Sequence, residues 1–251
     1  MSDVDAASPA PPAQDTTPTP KPESPLRLIA VAVGWLVLAL VMVVVADITV
    51  SLVTDDKSVL RDELSSIATS VALYGVLLWA ALVRGRIVGG GDVRTGLGDG
   101  PVSRWPVIGA IGILTIVAVA LVVAAYVHGY IDLPARAPAR EKSLWVLFFS
   151  ASVAVLIAPP VEEFWFRGWL WTGLRKRWSP LATMLVTGAF FVALHVPQTF
   201  SAFGHHVMAA ALLSLARYFG GSVRASITIH AIWNFTTMAA LAALFLLYGD
   251  S

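Results

Sequence analysis

The sequence predicts an all-α, polytopic membrane helical bundle, on three observations. Hydrophobic residues occupy 57% of the 251 positions and charged residues only 13%, with a mean hydropathy of +0.76, whereas soluble domains carry roughly 25% charged residues. Apolar runs of about the 20 residues needed to cross a bilayer recur along the chain. Inside some of those runs lie ionisable side chains, which are costly at bilayer depth and rarely occur there without a partner or a function.

In chain order, residues 1–25 are rich in Pro, Ala, Thr and Asp without apolar periodicity. Such a stretch buries too little surface to offset its chain entropy and is expected to be disordered. The apolar run from Leu28 to Ala46 is longer than a signal-peptide core and follows a long polar lead, so it reads as an uncleaved anchor. Residues 26–251 form the transmembrane domain, with spans expected near 28–50, 64–83, 106–127, 144–172, 181–197, 204–219 and 222–248. The expected total is seven spans, or eight if the last one hinges near Thr236 and Thr237. Residues 84–105, which include Gly89, Gly90 and Gly91, read as one long flexible connection. No internal repeat is visible.

A net charge of +1 offers no field for nucleic acid, and the absence of cysteine excludes disulfides, thiolate metal sites and a cysteine nucleophile. The lipid bilayer is the implied surrounding, and the Ala-, Val- and Arg-rich composition points to a bacterial cell membrane. Basic loop residues set the orientation. With the N-terminus cytoplasmic, the inner side collects Lys21, Arg27, Arg84, Arg86, Arg94, Arg104, Arg175, Lys176, Arg177, Arg217 and Arg224. The outer side has only Lys57, Arg61, Arg136, Arg140 and Lys142.

The polar residues embedded in apolar surroundings are Glu162, Glu163 and Arg167 in one span, His195 in another, and His230 with Asn234 in the last. Glu163 and Arg167 stand at i,i+4 and can neutralise each other along one helix face. Glu162 points about 100° away and has no such arginine. Beside a histidine in a partly desolvated cavity, it can serve as a general base for water. His230 and Asn234, also at i,i+4, can turn two N–H groups toward one point, as an oxyanion hole requires. Pro159 and Pro160 should kink or restart their helix and free carbonyl groups. Counting rise per residue places the cluster in the inner half of the membrane, so substrate access is expected from the cytoplasmic side or the inner leaflet.

The ordered set Glu-Glu-x-x-x-Arg (Glu162, Glu163, Arg167), Phe-x-x-x-His (Phe191, His195) and His-x-x-x-Asn (His230, Asn234) resembles the CPBP intramembrane proteases. This is the CAAX-protease and bacteriocin-processing, or Abi, family, which includes the type II CAAX prenyl endopeptidase. The resemblance covers about residues 140–236, the expected catalytic core, and nothing before that region contributes to it. It implies an endopeptidase acting on membrane-associated peptides or proteins. Glu162, helped by His195, would activate water, and His230 and Asn234 would stabilise the oxyanion. A divalent metal such as zinc, held by Glu162, His195 and His230, is an open alternative, although there is no HExxH pattern.

Other readings compete with this one. A non-catalytic scaffold or immunity protein could use the cluster to hold helices together, and a proton-coupled transporter could use it as a relay. His205 and His206 read as interfacial residues at the outer end of a helix, and His128 as solvated. Asp47 has no evident partner. Trp145, Trp165, Trp169, Trp171 and Trp178 read partly as interfacial belts, with Trp165 and Trp169 as alternative lining for a substrate groove.

Overall fold

Ser24 accepts the Arg27 N–H at 3.3 Å and precedes Pro25 at the first helical position, which starts α1 (Pro25–Val53). The computed structural model describes residues 22–54, 59–127, 144–195 and 203–248. Lys21, Lys57, His128, Arg136, Arg140, Lys142 and most of the Pro-rich tail lie outside the described residues, as does the side chain of Trp145.

α1 packs along α2 (Val59–Val88). Ala32 and Ala39 of α1 and Ala80 and Ala81 of α2 are buried, and such small side chains let helix backbones approach closely. The opposite faces carry Val37, Val41, Val44, Val71 and Trp79, all exposed. An apolar surface of this extent suits lipid rather than water. Asp47, which had no evident partner in the sequence, accepts a hydrogen bond from Ser65 across this pair.

The connection after α2 differs from the expected flexible loop. Asp92 caps the short α3 (Val93–Leu97) by accepting the Arg94 and Thr95 N–H groups at 3.2 and 2.9 Å, and Gly98 ends it in the left-handed region. The following residues are tied to the turn between α9 (Phe203–Gly220) and α10 (Val223–Tyr248). Val223 N–H donates to Gly98 O at 3.0 Å, Ser222 Oγ donates to Gly100 O at 2.6 Å, and Ser103 N–H donates to Gly220 O at 3.0 Å. Asp99 bridges Arg224 at 2.5 Å and Arg94 at 3.2 Å. Hydrogen bonding to Arg224 holds the Asp99 carboxyl below the usual carboxylate range. Glycines here serve close approach: a Cβ at Gly96 would lie 1.7 Å from Gly85 O.

After α4 (Trp105–Val127), one long helical rod crosses the bundle in pieces. α5 (Leu144–Ser152) widens into a first π segment, Val153–Ile157, before α6 (Ala158–Glu163). A second π segment, Phe164–Leu170, with Gly168 outside helical geometry at φ −85° and ψ −107°, leads into α7 (Trp171–Arg175). α8 (Pro180–His195) packs on α9, and α10 lies against α4, α9 and the rod. Trp165, Phe166, Trp169 and Leu170 are fully buried in the core. The belt or groove reading of Trp165 and Trp169 is therefore corrected, and Trp171, also buried, lies under Arg217 at 5.7 Å.

Apart from Ser222, in the turn before α10, each expected span is helical where it is described. Four helices among the described residues are long and apolar enough to cross a membrane: Pro25–Val53, Leu60–Val88, Trp105–Ala124 and Phe148–Arg175. α8 is apolar but shorter. The chain is an integral membrane protein.

Gly96→Ala should force α2 and α3 apart and cost about 1–3 kcal/mol or more. Gly34→Ala, with nothing within 4 Å of the added Cβ, should change little. The thermal midpoints of the two variants in detergent check this.

Candidate active site

Pro159 has no N–H to donate, and the first π segment sets which carbonyl feels that loss. Ala158 N–H already bonds to Val153 O, five residues back, so the same register would pair residue 159 with Ala154 O. Asn234 Nδ2 occupies that carbonyl instead, at 2.7 Å. The second π segment is repaired in a similar way. Arg217 Nε donates to Arg167 O at 2.9 Å, one residue before the non-helical Gly168. Interruptions of this type redirect side chains and recur at functional sites.

Between the two repairs, the rod presents its charged residues inward. Glu163 and Arg167 are fully buried, with Arg167 Nη1 3.0 Å from Glu163 Oε1. Arg167 Nη2 donates to Ala210 O at 3.2 Å, and its guanidinium lies 4.8 Å from the Phe191 ring centroid. Glu163 Oε1 also lies 3.0 Å from His230 Nδ1. Glu163 therefore both neutralises Arg167 and fixes the His230 ring, a second role that the i,i+4 spacing did not reveal.

Glu162 points elsewhere, as expected. Its Oε2 is buried and takes no hydrogen bond within the described structure. It lies 4.0 Å from His195 Nε2 and 3.9 Å from His230 Nε2. His195 Nδ1 is 2.7 Å from Phe191 O, a carbonyl that can only accept, so this nitrogen carries the proton and Nε2 faces the carboxylate. Glu162, Glu163, Arg167, His195 and His230 are thus brought into one cluster. Asn234 borders it, but its amide donates to Ala154 O while His230 Nδ1 is held by Glu163. The two donors expected to share one focus are directed to different acceptors.

Three neighbours lie outside the site residues that the sequence singled out. Tyr74 of α2 places its hydroxyl 3.4 Å from Glu162 Oε1. His206 stacks on His195 with ring centroids 4.8 Å apart. His205 accepts the Trp233 indole N–H at 2.9 Å. His206 thus reaches the site from the first turn of α9, with His205 beside it.

Residues 141–236 match the family described as type II CAAX prenyl endopeptidase Rce1-like. This segment belongs to the CAAX-protease family. No curated protein and no solved structure matches the chain. The CAAX-protease segment carries all three motifs, whereas Tyr74 lies outside it.

Counted along their own helices, His195, His206 and Tyr74 stand about 20–23 Å from Pro180, Gly220 and Val88, and His230 stands about 10 Å from Val223.

Arg167→Met would leave Glu163 buried without its countercharge, and it is expected to cost about 3–5 kcal/mol. A thermal midpoint within a degree or two of the parent would contradict this account of the pair.

Proposed function

We infer that the protein is an intramembrane endopeptidase that hydrolyses peptide bonds of membrane-associated peptides or proteins. The observation that carries this reading is the buried Glu162 Oε2, faced by His195 Nε2 at 4.0 Å and His230 Nε2 at 3.9 Å. Atoms at that separation can share one water at about 2.8 Å from each. The family match to CAAX-type proteases supports the same reaction class.

The contacts assign the roles. In its imidazolium form His230 keeps Nδ1–H on Glu163 and offers Nε2–H to a developing oxyanion. The Asn234 amide has a second hydrogen beyond the one on Ala154 O, and this is the other candidate donor.

In the proposed reaction, the water oxygen attacks the scissile carbonyl carbon as Glu162 takes its proton. The carbonyl π pair moves onto oxygen, which the His230 donor stabilises. The proton then passes to the leaving nitrogen, the C–N bond breaks as the carbonyl re-forms, and the resulting carboxylic acid gives its remaining proton to the released amine, so the products leave as a carboxylate and an ammonium. His195, clamped by Phe191 O and stacked on His206, positions the water.

A zinc ion held by Glu162, His195 and His230 is the alternative implied by the family chemistry. Tetrahedral ligands at about 2.1 Å from zinc stand about 3.4 Å apart, closer than the 3.9 and 4.0 Å separations here. Among the described residues no group of three such side chains is arranged to hold a metal ion. These wider separations support a shared water over a directly held ion. Residence in a bacterial cell membrane with a cytoplasmic N-terminus is part of this proposal. It rests on composition and on basic residues such as Arg86, Arg104 and Arg175.

Glu162→Gln should lower cleavage of a membrane-peptide reporter by about 10²–10⁴-fold while the thermal midpoint in detergent stays at the parent value. Parent-level turnover would remove Glu162 from the role of base. Exhaustive chelation should leave turnover intact, and a complete loss restored by zinc would replace this mechanism with a metal-dependent one.

A further inference from the structure

We propose that Tyr74 is a positioning residue of the site: its hydroxyl anchors one oxygen of Glu162 so that the other faces the two histidines. This inference rests on the proteolytic reading above and deepens it by bringing in α2, which lies outside the segment matched to the CAAX-protease family.

Tyr74 Oη lies 3.4 Å from Glu162 Oε1, across 88 positions of sequence. The other oxygen, Oε2, is the one set 4.0 and 3.9 Å from His195 and His230. Glu162 has no arginine of its own, because Arg167 Nη1 is committed to Glu163 Oε1. A carboxylate with three rotatable bonds and no anchor would sample several rotamers. A phenol is well suited to hold it. The ring is stiff, the hydroxyl donates to the carboxylate without adding a charge, and its reach fixes which oxygen turns toward the water. Misplacement of a reacting group by about 1 Å can cost on the order of 10²-fold in rate. A hydroxyl directed at Glu162 should therefore act on turnover more than on substrate binding.

The test measures full-length Tyr74→Phe, Glu162→Gln and the double variant in detergent, using one peptide reporter and recording kcat, KM and thermal midpoint. Tyr74→Phe is expected to lower kcat about 10–100-fold with KM within about twofold of the parent, a loss of roughly 1.4–2.7 kcal/mol. The thermal midpoint should stay near the parent value. In the Glu162→Gln background, removing the hydroxyl should change the residual rate by less than about twofold, because its effect passes through the carboxylate. Parent-level kcat in Tyr74→Phe would overturn the proposal, as would a loss of kcat matched by a collapse of the thermal midpoint, or a full additional loss in the double variant. The two readings fail separately. If Glu162→Gln keeps parent turnover, the assignment of the base is lost, whereas an inactive Glu162→Gln beside a fully active Tyr74→Phe removes only Tyr74.

Discussion

The buried triad Arg167, Glu163 and His230 is the constraint on which the rest of the site depends. Glu163 Oε1 receives both Arg167 Nη1 and His230 Nδ1 at 3.0 Å, with the carboxylate and guanidinium fully buried. Two ions in a poorly solvated interior stay charged only if each compensates the other and their remaining hydrogen-bonding groups are largely satisfied. Arg167 adds Ala210 O, so the pair ties the rod to α9 and α10 at once. Once Glu163 is committed, Glu162 is left as the carboxylate without an arginine partner.

The rod carries irregular backbone on either side of the adjacent glutamates, and irregular backbone inside a membrane must be repaired from within the protein. Two polar side chains make those repairs. Asn234 covers the carbonyl that Pro159 cannot pair, and Arg217 covers Arg167 O beside the distorted Gly168. Arg217 counted as a basic loop residue in the sequence, yet it is buried, and its guanidinium lies against Gly98 and over Trp171. The same contacts bring the α3 connection onto the α9–α10 turn. The site is thereby braced from within the family match and by the α3 connection that precedes it.

Helix class, membrane character and the identity of the principal cluster were determined by the sequence alone. Apolar runs of the right length leave few alternatives to a helix in lipid, and ionisable residues in such runs are too costly to be incidental. The i,i+4 spacing of Glu163 and Arg167 also determined their ion pair, because helical geometry brings those positions together whatever lies around them. Only the tertiary structure decided the contacts between distant helices: Tyr74 on Glu162, His206 on His195, Asn234 on Ala154 O, and Ser65 on Asp47. Their geometry depends on the relative heights and rotations of packed helices, which periodicity along one helix does not encode. The glycines of residues 84–105 show the same limit. Their permissive backbone reads locally as flexibility, and it is the packing of Gly96 against Gly85 that turns it into close contact.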